Sequence, residues 1–234
     1  MKGKIAIIIT IAITCLTYAG CTSGEIVSEP GKKPADTQAG DTSLNAQEKD
    51  YTNADLTGMK FSHSDMRGAI LAGAKLNDAD LSSADLRNAD MRGARIIHTN
   101  LRDADLRGSD MSGALLVGAD LTHANMNGAN LSECNLRGAV FFEADLSSAN
   151  IENAELGSVN FSGANLSGAR LRNAHFTEVN MSHSSLERTD MSYSDLQKCS
   201  FLNADFRGAI VSRKWQNLLR AEGVQNYEYI IWVD

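Results

Sequence analysis

Proline is almost missing from these 234 residues: Pro30 and Pro34 are the only two, and nothing after residue 34 interrupts the chain with another. Cysteine occurs four times, at 15, 21, 134 and 199, too sparsely for a disulfide-stapled scaffold. Long apolar runs are lacking as well. The longest, Ile5 to Ala19, has fifteen residues, short of the about twenty that a membrane-spanning helix needs. Neither sign of charge dominates, since 22 basic and 29 acidic residues leave −7. No nucleophile, base and orienting group recur together at one spacing, so no enzyme activity, cofactor or metal is expected.

What the sequence has in abundance is a step of five. From Leu56 to Val211 every fifth residue is apolar, thirty-two centres in succession. Two positions before each centre stands a small side chain: Ala in twenty-one cases, and Ser, Thr, Cys or Val in all the others except Met59. In an α-helix, at about 100° per residue, centres five apart would advance by about 140° and scatter around the axis. A helix is therefore excluded. The small residue and the centre flank one polar residue, which is the in-out-in alternation of a half-buried strand. The other two positions are polar, often Ser-Gly, Arg-Gly or Arg-Asn, and Gly and Asn turn corners at little cost. Each unit reads as a short straight side followed by a bend, and the series as a solenoid with centres and small residues inside.

Ala79-Asp80-Leu81-Ser82-Ser83, Ala104-Asp105-Leu106-Arg107-Gly108 and Ala164-Asn165-Leu166-Ser167-Gly168 carry the pattern most plainly. They resemble the Ala-(Asp/Asn)-Leu-X-X consensus of the pentapeptide-repeat family, and the resemblance covers residues 54–213. It implies an all-β fold, a right-handed quadrilateral parallel β-helix with four units to a coil. Thirty-two units then make eight coils, a rod roughly 35 to 40 Å long at about 4.8 Å between strands. Residues twenty apart should stack, Phe141 on Phe161 among them, as packing ladders and not as a cofactor box.

The ends differ from the repeats. Lys2, Lys4, the apolar run and Tyr18-Ala19-Gly20-Cys21 resemble a bacterial lipoprotein signal, although Tyr18 stands where that motif usually has Leu. The resemblance implies cleavage before Cys21 and acylation of its thiol, palmitate included, with the protein anchored to a membrane. Thr22, in place of an Asp, implies the periplasmic side of the outer membrane in a two-membrane bacterium. Residues 1–20 are thus expected to be the signal peptide and 21–50 a disordered tether of Pro, Gly, Ser, Thr, Lys and Glu. The β-helix should fill 51–213 and a cap 214–234. In the cap, Ser212 is placed to start a helix and Gly223 to end it, with Trp215, Leu218 and Leu219 on one face. Residues 227–233, containing Trp232, read as a strand that either folds over the cap or pairs with a second copy in a homodimer.

Coil geometry removes several functions. His63, His123 and His183 fall on equivalent corners three coils apart, about 14 Å, beyond shared metal ligation. Cys134 and Cys199 are likewise three coils apart, whereas a disulfide needs Cα atoms within about 7 Å. The mature chain carries −9 once Lys2 and Lys4 are removed, and the repeats carry −5 from 15 basic and 20 acidic residues. Some pentapeptide-repeat proteins resemble duplex DNA and bind type II topoisomerases. A rod of this length would need roughly twenty uncompensated charges to imitate a duplex with one charge per about 1.7 Å. Asp65, Asp85, Asp105 and Asp205 each have an Arg two positions on, so surface ion pairs are expected instead, and nucleic-acid mimicry becomes the second reading. The first is a non-enzymatic, lipid-anchored envelope protein whose rod serves as an interaction scaffold or spacer for an unidentified protein partner. Outward positions are polar except at Ile97, Leu115 and Val117 on one face and Val140 and Phe142 on the next, and these five form the candidate interaction patch.

Overall fold

Residues 49–234 are described by the structure, a computed structural model. The expected signal peptide, Cys21 and the expected tether up to residue 48 lie outside them. Parallel bridges join residues twenty apart along the repeats, from Asp50–Ile70, Asp55–Lys75, Lys60–Asp80 and Asp65–Asp85 to Ser185–Asp205. Four columns of such bridges make a four-sided parallel β-helix, in agreement with the step of five.

Each side is pinned to both neighbours by the backbone. On the side centred at Leu81, Leu81 N donates to Asn100 O at 2.8 Å and Ser83 N to Arg102 O at 2.8 Å, while Asp80 N reaches back to Met59 O at 2.9 Å. The corner closes when Ala84 N donates to Leu81 O at 3.1 Å. The last residue of every unit from 53 to 208 has positive φ, twelve glycines and twenty other residues, as a type II turn requires at its third position. Glu133, Arg188, Tyr193 and Lys198 occupy corners that composition would have reserved for Gly or Asn. A non-glycine residue costs roughly 1–2 kcal/mol there, and rungs bonded above and below hold the corner in place.

The Asp or Asn before each centre is a corner staple. Asp80 Oδ1 accepts the Ser82 amide at 3.1 Å, Asn100 Oδ1 the Arg102 amide at 3.2 Å and Asn165 Oδ1 the Ser167 amide at 3.1 Å. This two-residue reach is an Asx turn. Where Asn lies over Asp, its amide also bridges coils, as from Asn100 Nδ2 to Asp80 Oδ1 and from Asn165 Nδ2 to Asp145 Oδ1, both 3.0 Å.

Centres and small residues are buried together in one continuous core. Phe141 and Phe161 stack with ring centroids 4.9 Å apart. Polar small residues remain satisfied inside: Thr99 Oγ1 donates to Leu76 O at 2.6 Å and Ser184 Oγ to Met181 O at 2.7 Å. One face departs from the tight corner. At β1 (Glu155–Gly157), β2 (His175–Thr177) and β4 (Asp195–Gln197) the chain runs extended through the bend, and these strands pair in parallel. The small positions that follow hold Val159, Val179 and Cys199, bulkier than Ala, and the wider corner gives them room.

A last, irregular coil closes the C-terminal end. β3 (Asp190–Met191) pairs with β5 (Ile210–Ser212), which pairs with β6 (Ile231–Val233). Gln225 still bridges Asp205 at a spacing of twenty, but Ile231 faces Ile210 at twenty-one. Between them, a 3-10 turn (Arg213–Trp215) and α1 (Gln216–Ala221) replace one side. Leu219 is fully buried, and Trp215, Leu218, Tyr227 and Trp232 pack against the core half-buried. Ser212 departs from its expected role: its hydroxyl caps no helix and accepts the Tyr193 amide at 3.1 Å. Residues 227–229 form a 3-10 turn, so only 231–233 of the expected strand is extended.

Candidate interaction surfaces

Among the described residues no three His, Cys, Asp or Glu side chains group as metal ligands, and no helix is long and apolar enough to cross a membrane. The Asp65 column shows its chemistry at the N-terminal coils. Arg67 holds Asp65 through Nε at 2.9 Å and Nη2 at 2.7 Å, and Arg87 and Arg107 hold Asp85 and Asp105 in the same two-pronged way. The first two guanidinium groups also lean on the next coil's carboxylate, Arg67 Nε to Asp85 Oδ2 at 3.6 Å and Arg87 Nε to Asp105 Oδ2 at 3.5 Å. Hydrogen bonds from these arginines hold the Asp65, Asp85 and Asp105 carboxyls below the usual carboxylate range. The fourth expected pair is not formed. Arg207 gives Asp205 only its backbone amide, at 2.9 Å, and Asn226 Nδ2 takes the carboxylate at 2.7 Å because the irregular coil brings it overhead.

The corner histidines carry positive φ as the repeats require. His123 lies between carboxylates of adjoining coils, Nδ1 to Asp103 at 3.3 Å and Nε2 to Glu143 at 3.4 Å. Cys134 and Cys199 are free and buried; Cys134 Sγ donates to Met111 O at 2.9 Å. Burial pushes their thiols up to about 12 and about 11.

The five patch residues fall in two groups. Ile97 lies directly below Val117, whose carbonyl accepts the His98 amide at 3.0 Å, and Leu115 pairs with Arg95 on the same two rungs. Val140 and Phe142 flank buried Phe141 on the adjacent face, with the Phe142 ring 6.1 Å from that of His123. Phe142, at 38%, is the most open of the five; the others are half-buried. Of the cap residues, Trp215 sends Nε1–H to Ser194 O at 3.0 Å, and Trp232 lies 5.6 Å from the Tyr227 ring. Sequence reasoning missed Lys49. It is buried, and its ammonium reaches Asp65 Oδ1 at 3.2 Å.

Eight copies of the family model described as Pentapeptide repeats match the chain, in stretches 52–88, 74–113, 99–138, 119–156, 154–192 and 184–213. The chain belongs to the pentapeptide-repeat family, and its four-sided coil is the family's right-handed quadrilateral β-helix. No curated protein matches it. Among solved structures it is similar to HetL, a pentapeptide-repeat protein involved in heterocyst differentiation regulation in the cyanobacterium Nostoc sp. Strain PCC 7120. The identity is 28% over 70% of this chain and 80% of that one, with TM-score 0.38. QnrB1, a plasmid-mediated fluoroquinolone resistance protein, is 16% identical over 73% of this chain and 90% of its own, with TM-score 0.41. A pentapeptide-repeat protein of the Arabidopsis thaliana thylakoid lumen is 25% identical over 56% and 70%, with TM-score 0.28.

Proposed function

We propose that this protein is a non-enzymatic, lipid-anchored scaffold or spacer of the bacterial cell envelope, its rod carried on the tether that follows an acylated Cys21. The observation that carries the reading is the rod's construction. Its interior is filled by side chains from end to end, which leaves recognition to the outer columns. The lysines and apolar run of residues 2–19 and the cysteine at 21 support the anchor. Two-pronged Arg–Asp pairs leave the acidic column locally balanced, which favours a scaffold over a duplex mimic aimed at a topoisomerase. The partner surface in this reading is the Ile97, Leu115, Val117 group with Val140 and Phe142 around the corner, while the Trp215–Trp232 end closes the core and offers a contact to a second copy.

The test is fractionation of cells fed labelled fatty acid, comparing the natural chain with Cys21→Ser. Label in the membrane fraction that disappears with Cys21→Ser is expected. A soluble cytoplasmic natural chain that inhibits topoisomerase would overturn the reading. Pull-down from envelope extracts with Leu115, Val117 and Phe142 changed to Ser then tests the patch, and unchanged capture would remove it.

A further inference from the structure

On the wall that carries the Ile97, Leu115 and Val117 group, parallel bridges stack Lys75, Arg95, Leu115, Asn135 and Glu155 in one outward column, with Ile97, Val117 and Arg137 in the column beside it. Charge changes sign across the Leu115 rung. Lys75 and Arg95 stand towards the N-terminal end, and Glu155 and the corner residue Glu133 towards the C-terminal end. Two of these charges are already held within the chain, Lys75 by Asp55 at 3.2 Å and Glu155 by Arg137 at 3.1 Å. Arg95 and Glu133 are exposed and make no ion pair among the described residues. They lie two rungs apart, at about 4.8 Å per rung, so each has its opposite charge on the same wall and out of reach.

The corners repeat this inversion in shape. The Arg95 rung begins at Gly93 and ends at exposed His98, whereas the Asn135 rung begins at exposed Glu133 and ends at Gly138. A Cβ added at Gly93 or Gly138 would meet nothing within 4 Å. A bare corner on one rung therefore matches a projecting side chain on the other.

We propose that this wall is a self-complementary face that binds a second copy of this chain, with the two rods antiparallel and the two-fold axis along the Leu115 rung. The proposal rests on the reading of Ile97, Leu115 and Val117 as a contact surface and names what they contact. The axis sets Leu115 against the partner's Leu115 and Val117 against the partner's Val117. Lys75 faces the partner's Glu155. Arg95 faces the partner's Asn135, with the partner's Glu133 beside it, and Ile97 is covered by the stem of the partner's Arg137. His98 meets the partner's Gly138, and Gly93 makes room for the partner's Glu133. Every contact occurs twice and the assembly closes at two, as an isologous interface must. Parallel rods would instead bring Lys75 and Arg95 level with the partner's Lys75 and Arg95, and a partner of one charge sign would match only half of the wall. Val140 and Phe142 stay on the adjacent wall, outside this face.

The test is sedimentation velocity of the full-length chain in mild detergent over a concentration series, which should show monomer and dimer in equilibrium. Arg95→Glu and Glu133→Arg each set like charges together at both symmetric contacts, so each should weaken the dimer by at least about tenfold. An equal mixture of these two variants should recover dimers, because each altered site then meets its opposite in the other chain, a rescue that no effect within one chain produces. Circular dichroism and the melting temperature should match those of the natural chain, since both sites are exposed. A natural chain that stays monomeric, dimers indifferent to both charge reversals, or a mixture that stays dissociated would each defeat the proposal. The scaffold reading is judged separately by the envelope pull-down: a monomeric natural chain whose capture of another protein is lost with the Leu115, Val117 and Phe142 changes strikes the dimer and leaves the scaffold standing.

Discussion

The coils from residue 53 to 208 and the closing segment from 213 to 233 solve the same burial problem in opposite ways. In the repeats one centre and one small residue per side suffice, because each side has a coil above and another below to complete its hydrogen bonds. The closing segment has a neighbour on one side only. It covers the core with larger residues, Trp215, Leu218, Leu219 and Trp232, and completes the last rungs partly with backbone, at Gln225 and Ile231, and partly with the side chains of Glu222 and Trp215. Regularity is thus a property of the neighbours as much as of the unit. A pentapeptide is stable as a side of the square only when it is sandwiched.

The sharpest way to break this contrast is to damage the middle. Phe161→Ala removes one half of the stacked pair and should cost about 3–5 kcal/mol. Chemical denaturation followed by circular dichroism should show the whole rod losing stability, since every coil transmits the loss to both neighbours. Leu219→Ala, at the closing end, should cost about 2–5 kcal/mol, with a different distribution. Hydrogen exchange should accelerate in the last coils around Phe201 and Phe206 and leave the amides around Leu101 and Leu121, five and four coils away in the same stack as Phe201, protected.

Overfilling is the next lesion in size. Ala124 is fully buried beside Leu121 and Met126, and Ala124→Leu should destabilise by about 1–3 kcal/mol. Unchanged thermal stability would contradict its interior placement. Acid should produce the smallest effect. The Asp65, Asp85, Asp90 and Asp105 carboxyls are held below their ordinary range chiefly by hydrogen bonds from Arg67, Arg87, Arg92 and Arg107. Their contribution is therefore fully present above about pH 4, the unfolded carboxylate range, and is lost as pH falls through the lower folded values. A thermal-melt series from neutral to strongly acid pH should show this decline, and Arg87→Gln should flatten it. The N-terminal coils, where these pairs cluster, should soften before the Asn- and Ser-rich coils further along.

The step of five made the solenoid, the inward Ala column and the Phe141–Phe161 stack legible in the sequence, because each follows from a strand's alternation and a fixed count. The ion pairs at Asp65, Asp85 and Asp105 followed from spacing as well. Arg207 did not, since Asn226 arrives over Asp205 only through a coil whose spacing slips from twenty to twenty-one. Ser212 failed as a helix cap for a related reason: Tyr193, a rung away, claims its hydroxyl. Lys49 could have been found by extending the small-residue column one place before Ala54 and Ala69, where a long cation stands out against alanine. For the candidate patch, periodicity marked five outward apolar residues and set Ile97, Leu115 and Val117 on one wall and Val140 and Phe142 on the next, with the corner at Gly118 between the walls.

The twenty-residue vertical register has a genetic corollary. Duplicating or deleting one whole circuit returns every downstream residue to its own wall, so the molecule can be lengthened or shortened by a storey, about 4.8 Å, without redesigning anything. Losing a single codon instead rotates all later side chains out of the interior. Reach, in such a protein, is inherited in whole floors.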